Sequence, residues 1–175
     1  MNKEMEQKQT LAALQTAIEM EIEGKEFYMQ LSKIGANEAG CKLFAALAKE
    51  EDLHIKKFEQ IFQVIETKQA WPEIKVGVSQ AGPSVGIFSQ KPVGNIGSTA
   101  SELKSIQKAM EMENKTLDYY LGQAVKAVYP VEKQYYEAVA AQERVHHAVL
   151  LDYFEFLKDP TQWFTMKEHQ SMDGG

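Results

Sequence analysis

The chain has 175 residues, 44% of them hydrophobic, a formal net charge of −6 and a single cysteine, Cys41. That is enough chain for one domain with a sizeable core. The charge is mixed along the chain, which excludes a basic stripe for nucleic acid and a polybasic membrane anchor, and one cysteine excludes an intrachain disulfide and a thiolate metal knuckle.

No apolar run reaches the roughly 18 residues that a membrane span needs. The opening MNKEMEQKQT has no apolar signal-peptide core. A cytoplasmic protein is the expectation.

The first helix is expected over about 11–33. Its apolar stripe, with Leu14, Ala17, Ile18 and Leu31, also carries Glu21, Gly24 and Tyr28. A glycine inside a helix costs about 1 kcal/mol relative to alanine, so Gly24 should have a packing reason. Asn37 is the expected N-cap of a second helix over about 38–66. There Phe44, Leu47, Phe58, Ile61 and Ile65 form a stripe, and Glu51-x-x-His54 falls within it. A core carboxylate without a partner costs several kcal/mol or gives up its charge.

Residues 67–98 are broken by Pro72, Gly77, Gly82-Pro83, Gly86, Pro92, Gly94 and Gly97. A connection this long needs a reason: if the third helix runs parallel to the second, the chain must return along a bundle about 42 Å long. Short strands near 74–78 or 85–88 could form in it. Thr99-x-x-Glu102 reads as a capping box opening a third helix to about 128, with Ile106, Met110, Glu113, Leu117, Tyr120 and Ala124 inward. Pro130 suits the first turn of a fourth helix, which runs to about 158 with Tyr136, Val139, Ala140, Glu143, His146, Leu150, Phe154 and Leu157 inward. Asp159-Pro160 ends it. The tail, 159–175, should dock through Trp163 and Phe164 and shows no obvious fifth helix.

The two helical pairs repeat at a constant offset of 92 residues without a gap: Glu21 maps to Glu113, Tyr28 to Tyr120, Glu51 to Glu143 and His54 to His146. The inward polar set is therefore four Glu and two His, with no inward Lys or Arg to pair with them. Oxygen and imidazole donors suit iron or manganese, and the lack of thiolate argues against structural zinc. Two divalent ions would balance four carboxylates; without them several should hold protons. Two bridging carboxylates, two terminal ones and one His per metal make a dinuclear site, an arrangement known from ferritin-like di-iron and di-manganese bundles. The competing reading is a buried ion-pair network.

Glu19, Glu23, Glu26, Glu111 and Glu132 fall off the stripes and should be solvated. His147 should lie at the bundle flank, and His169 in the tail is not expected to be a ligand. Tyr28 and Tyr120 lie two turns beyond Glu21 and Glu113. They could donate hydrogen bonds to ligand carboxylates or shuttle electrons or protons, or be core aromatics with satisfied hydroxyls. Glu50 and Gln142 hold equivalent positions. Each could accept from the opposite histidine's ring N–H and so break the two-fold symmetry, or be a flank residue.

On Glu21 with Tyr28, Glu51-x-x-His54, Glu113 with Tyr120, and Glu143-x-x-His146, the chain resembles the rubrerythrin-like branch of the ferritin-like di-iron superfamily. The tail, DPTQWFTMKEHQSMDGG, resembles the ending of single-domain members. The resemblance implies an all-α, ferritin-like four-helix bundle with one long crossover between the second and third helices. It also implies two iron ions (manganese or zinc being alternative occupants) held by Glu21, Glu51, His54, Glu113, Glu143 and His146, and a homodimer that could exchange elements through the crossover.

Two features depart from the family. There are no paired CxxC motifs of a rubredoxin domain, so electrons are expected from an external donor such as a rubredoxin-like protein. Thr116 stands where typical members place a further carboxylate. The function implied is an oxidoreductase reducing hydrogen peroxide or dioxygen. The alternatives are a ferroxidase or iron-handling protein, and a non-catalytic metal-stabilised bundle.

Overall fold

The computed structural model describes residues 3–35, 37–68, 71–72 and 100–172. Five helices follow in order: α1 (Lys3–Ile34), α2 (Glu38–Lys68), α3 (Ala100–Lys126), α4 (Pro130–Lys158) and α5 (Pro160–Met172). Among the described residues there is no strand, and the fold is an all-α, ferritin-like bundle. Most of the crossover lies outside the described residues, as do the two candidate strands and Thr99 of the expected capping box.

Two antiparallel hairpins, α1 on α2 and α3 on α4, supply most of the packing. The hinge of the first follows its sequence. The Asn37 side-chain oxygen accepts from Gly40 N at 2.9 Å and its carbonyl from Cys41 N at 3.1 Å, which caps α2. The cap is tied to the other hairpin, because Asn37 Nδ2 donates to the Tyr153 hydroxyl and that hydroxyl donates to Glu102. Gly40 is required by this contact: a Cβ there would lie 2.1 Å from the Tyr153 oxygen.

The core comes as two apolar blocks. One, nearer the α1–α2 turn, is built on Tyr28, Phe44, Leu47, Ile106, Tyr153 and Phe156. The other is built on Leu14, Phe58, Ile61, Tyr120, Tyr136 and Val139. Between the two blocks in sequence, on every one of the four long helices, sit the inward glutamates and histidines. The bundle is thus apolar, then polar, then apolar along its length.

Four expectations need correction. The first helix begins about two turns before Leu11, where Gln7 Nε2 donates to the Ile65 carbonyl at 2.9 Å and fastens the start of α1 to the end of α2. On α4 Leu157 is inward as expected, but its neighbours in the core are Tyr153 and Phe156, with Phe154 only half-buried beside them. Glu132 is buried, not solvated: its carboxylate accepts from Val128 N at 3.1 Å and Tyr129 N at 3.5 Å, satisfying donors at the start of α4. Lastly, the tail forms a fifth helix. The Asp159-Pro160 pair that ends α4 also starts α5, with Asp159 Oδ1 accepting from Gln162 N and the Asp159 carbonyl from Trp163 N. Trp163 and Phe164 do dock, edge-on to Phe156.

Candidate metal centre

One turn separates Glu51 from His54 on α2, and one turn separates Glu143 from His146 on α4, so each pair presents both side chains to the same side. Glu21 from α1 and Glu113 from α3 complete the layer. All six are buried, none more than 6% exposed, while Glu19, Glu23, Glu26 and Glu111 on the same helices are exposed.

The six fall into two overlapping groups. Glu21, Glu51, His54 and Glu143 bring one ligand atom each within 4.8 Å of the others, and so do Glu51, Glu113, Glu143 and His146. Glu51 and Glu143 belong to both groups. His54 Nδ1 lies 3.3 Å from Glu21 Oε2, 3.3 Å from Glu51 Oε2 and 3.4 Å from Glu143 Oε1. His146 Nδ1 lies 3.2 Å from Glu51 Oε1, 3.6 Å from Glu113 Oε2 and 3.7 Å from Glu143 Oε2. The two imidazole rings face each other at 5.8 Å.

The outer side of each ring is fixed by the opposite hairpin. His54 Nε2 lies 2.9 Å from Gln142 Oε1, and His146 Nε2 lies 3.0 Å from Glu50 Oε2. Both oxygens accept, so each Nε2 carries its proton and each Nδ1 is turned toward the carboxylates. The tyrosines cross in the same way: Tyr28 of α1 donates to Glu113 of α3, and Tyr120 of α3 donates to Glu21 of α1. Burial, then the nearby carboxylates, push both phenols well above their usual pKa, which keeps them donors.

The fit to cations is tested by what the pocket leaves unsatisfied. Glu51 Oε2, Glu113 Oε2, Glu143 Oε1 and His146 Nδ1 are buried without a hydrogen-bond partner. Among the described residues no Lys or Arg reaches salt-bridge distance of the six, so the only cationic partners of the four glutamates are the two histidines of the layer itself. Protons take up the charge instead. Burial first, then the Glu51 charge, raises Glu21 to about 8. Burial, then Glu21, Glu51 and Glu113, raises Glu143 well above the carboxylate range. Burial would raise Glu51 too, but the hydrogen bond from Glu21 and the two histidines pull it well below. Burial lowers both histidines, yet the surrounding glutamates overcome it and hold both well above 6.5. A cluster that gathers protons onto its own ligand atoms has the donor set of a buried cation site.

A cavity of about 20 Å³ reaches the layer between α1 and α3, lined by Met20, Gly24, Met112 and Thr116 over Glu21, Glu51, Glu113 and Glu143. It has room for a water-sized molecule. The lining repeats too, Met20 with Met112 and Gly24 with Thr116. A methyl group at Gly24 would meet the Glu51 side chain at an ordinary 3.8 Å, so the glycine keeps this opening rather than a tight contact. The Thr116 hydroxyl donates back to the Met112 carbonyl at 3.0 Å. Sequence reasoning missed the cavity because its walls come from two helices far apart in the chain. His147 is half-buried at the flank, and the His169 side chain lies outside the described residues.

No helix is long and apolar enough to cross a membrane among the described residues. No curated protein and no solved structure matches this chain. Residues 12–92, which hold most of α1 and all of α2, match the rubrerythrin family model. With that match, and with the ligand pattern of the first hairpin repeated in the second, the chain is similar to rubrerythrin over its first hairpin, and its buried carboxylate and histidine cluster fits a di-metal site.

Proposed function

We propose that this chain is a non-haem di-iron oxidoreductase that reduces hydrogen peroxide, or dioxygen, with electrons from an external donor. The observation that carries the reading is the pair of four-ligand groups that share Glu51 and Glu143. Glu21 and His54 would hold one ion and Glu113 and His146 the other, with Glu51 and Glu143 within reach of both. An iron pair bound there would supply the two electrons that reduction of an O–O bond needs.

Reduction of one peroxide takes two electrons and two protons and yields two waters. The two protons would come from solvent, and the chain's own residues admit the small molecule and hold and orient the ligands. The Met20, Gly24, Met112 and Thr116 cavity admits a small molecule and little else. Tyr28 and Tyr120 hold the terminal carboxylates in place through their hydroxyl protons. Gln142 and Glu50 keep the imidazoles oriented. The apolar blocks on either side keep bulk water out.

Stopped-flow mixing of the Fe(II)-loaded protein is expected to show oxidation by peroxide far faster than by dioxygen. Equal or slower rates with peroxide would count against the reading. Iron handling with storage in a large cage is the second reading, and α5 is the observation that favours it, since it supplies a fifth helix with which a cage could be built. A large assembly in size-exclusion chromatography, with many irons per chain, would decide for storage; about two irons per chain would decide against it. Metal content unchanged in Glu113→Ala and His146→Ala would sink the dinuclear centre.

A further inference from the structure

The two halves of the centre are alike in almost every contact. Each has one terminal glutamate, one histidine and the same two shared glutamates. Each terminal glutamate accepts from a tyrosine of the other hairpin. The mismatch is at the outer nitrogen of the histidines. His146 Nε2 donates to a carboxylate, Glu50, at 3.0 Å, whereas His54 Nε2 donates to an amide, Gln142, at 2.9 Å.

We propose that this mismatch makes the two halves unequal, so that the group of Glu51, Glu113, Glu143 and His146 takes up a divalent cation more tightly than the group of Glu21, Glu51, His54 and Glu143. The proposal rests on the dinuclear reading of the same site and adds an order of filling to it. A hydrogen bond to a charged acceptor is roughly twice as strong as one to a neutral acceptor. It also makes the imidazole a more basic ligand. Glu50 brings a negative charge within one ring of the His146 ligand atom, and Gln142 brings none. The bond is sheltered, with the His146 side chain 1% exposed and Glu50 25% exposed, so solvent screens it weakly. The charge mismatch next to the motif, Asp52 against Arg144, is away from the layer: Arg144 is exposed, and Asp52 is held by Lys25 and Lys56.

Two binding steps alone would not test this, because two cations sharing Glu51 and Glu143 repel each other. The test removes one half at a time. Metal-free His54→Ala and His146→Ala proteins are titrated anaerobically with Co(II), followed by visible absorption and by calorimetry. His54→Ala keeps the Glu50-supported half and is expected to bind one Co(II) about 10–100-fold more tightly than His146→Ala does. Adding Glu50→Gln to His54→Ala should bring its affinity down to the His146→Ala level. Adding Gln142→Glu to His146→Ala should raise that affinity. Equal affinities in the two single variants, or no response to Glu50→Gln, would overturn the proposal. A protein that keeps its native histidines and binds fewer than two Co(II) per chain would instead overturn the dinuclear reading itself.

Discussion

At the scale of residues, the crossed tyrosines make a specific demand. Tyr28 lies on the first hairpin but supports Glu113 of the second, and Tyr120 does the reverse. Tyr28→Phe should therefore weaken the first-filled half about 10-fold, and Tyr120→Phe the other half by a similar factor. Metal titration of each variant checks this, and a loss in the half that holds the mutated tyrosine's own helix partner would reverse the assignment. Gly40 makes a second demand. Gly40→Ala puts a methyl group 2.1 Å from the Tyr153 oxygen and 2.7 Å from its ring carbon. It should cost about 1–3 kcal/mol, as overpacking does, read as a lowered denaturation midpoint.

The residue scale was also the most legible one. The offset of 92 residues placed all six acidic and imidazole groups before any tertiary contact was known. The directions of the second contacts were not legible in this way. Spacing puts Tyr28 on the face of Glu21, and only the crossing of hairpins gives it Glu113.

At the scale of elements, α5 decides how the end of the bundle is closed. Trp163 packs edge-on against Phe156 and Phe164, and its indole N–H donates to Asp152 at 3.0 Å. Trp163→Ala should destabilise the chain by about 3 kcal/mol, measured by chemical denaturation. It should leave the metal count per chain unchanged, since α5 contributes none of the six ligands. A drop in bound metal would show that α5 supports the centre from a distance.

Sequence alone does not give α5, because a proline after an aspartate has the form of a helix stop. The same two residues are also a cap and a first turn, and the weakly patterned sequence that follows has no clear stripe to settle the matter. Glu132 departs from its expected exposure for a related reason. Helical periodicity assigns faces, but a glutamate in the first turn can fold back on the backbone N–H groups ahead of it and be buried there.

At the scale of the whole molecule, the centre ties stability to metal and pH together. In the metal-free protein Glu21 titrates near 8, Glu143 well above the carboxylate range, and both histidines well above 6.5. Groups with folded pKa values above their unfolded values contribute stability at low pH and lose it as pH rises through the folded value. Glu51, lowered instead, contributes fully above the ordinary carboxylate pKa and so adds no slope in this range. The melting temperature of the metal-free protein should therefore fall between about pH 5 and 8.

Metal takes the place of those protons, so loading should release them and bind more tightly as pH rises. The loaded protein should lose the downward slope. Calorimetric titration in buffers of different ionisation enthalpy counts the protons, and thermal melts with and without metal check the slope. A melting temperature that rises with pH in the metal-free protein would contradict the proton-filled layer.

The sequence by itself determined the four long helices and the two-fold repeat. It also determined that each long helix brings a polar ligand set onto an otherwise apolar face. These follow from helical periodicity, which is a local property of the chain. Only the tertiary structure decided which carboxylates both groups share, which tyrosine serves which glutamate, and where a small molecule can reach the layer. It also decided that Glu50 and Gln142 meet the histidines rather than solvent. Those are relations between helices, set by how two hairpins face each other, and no periodicity within one helix carries that information.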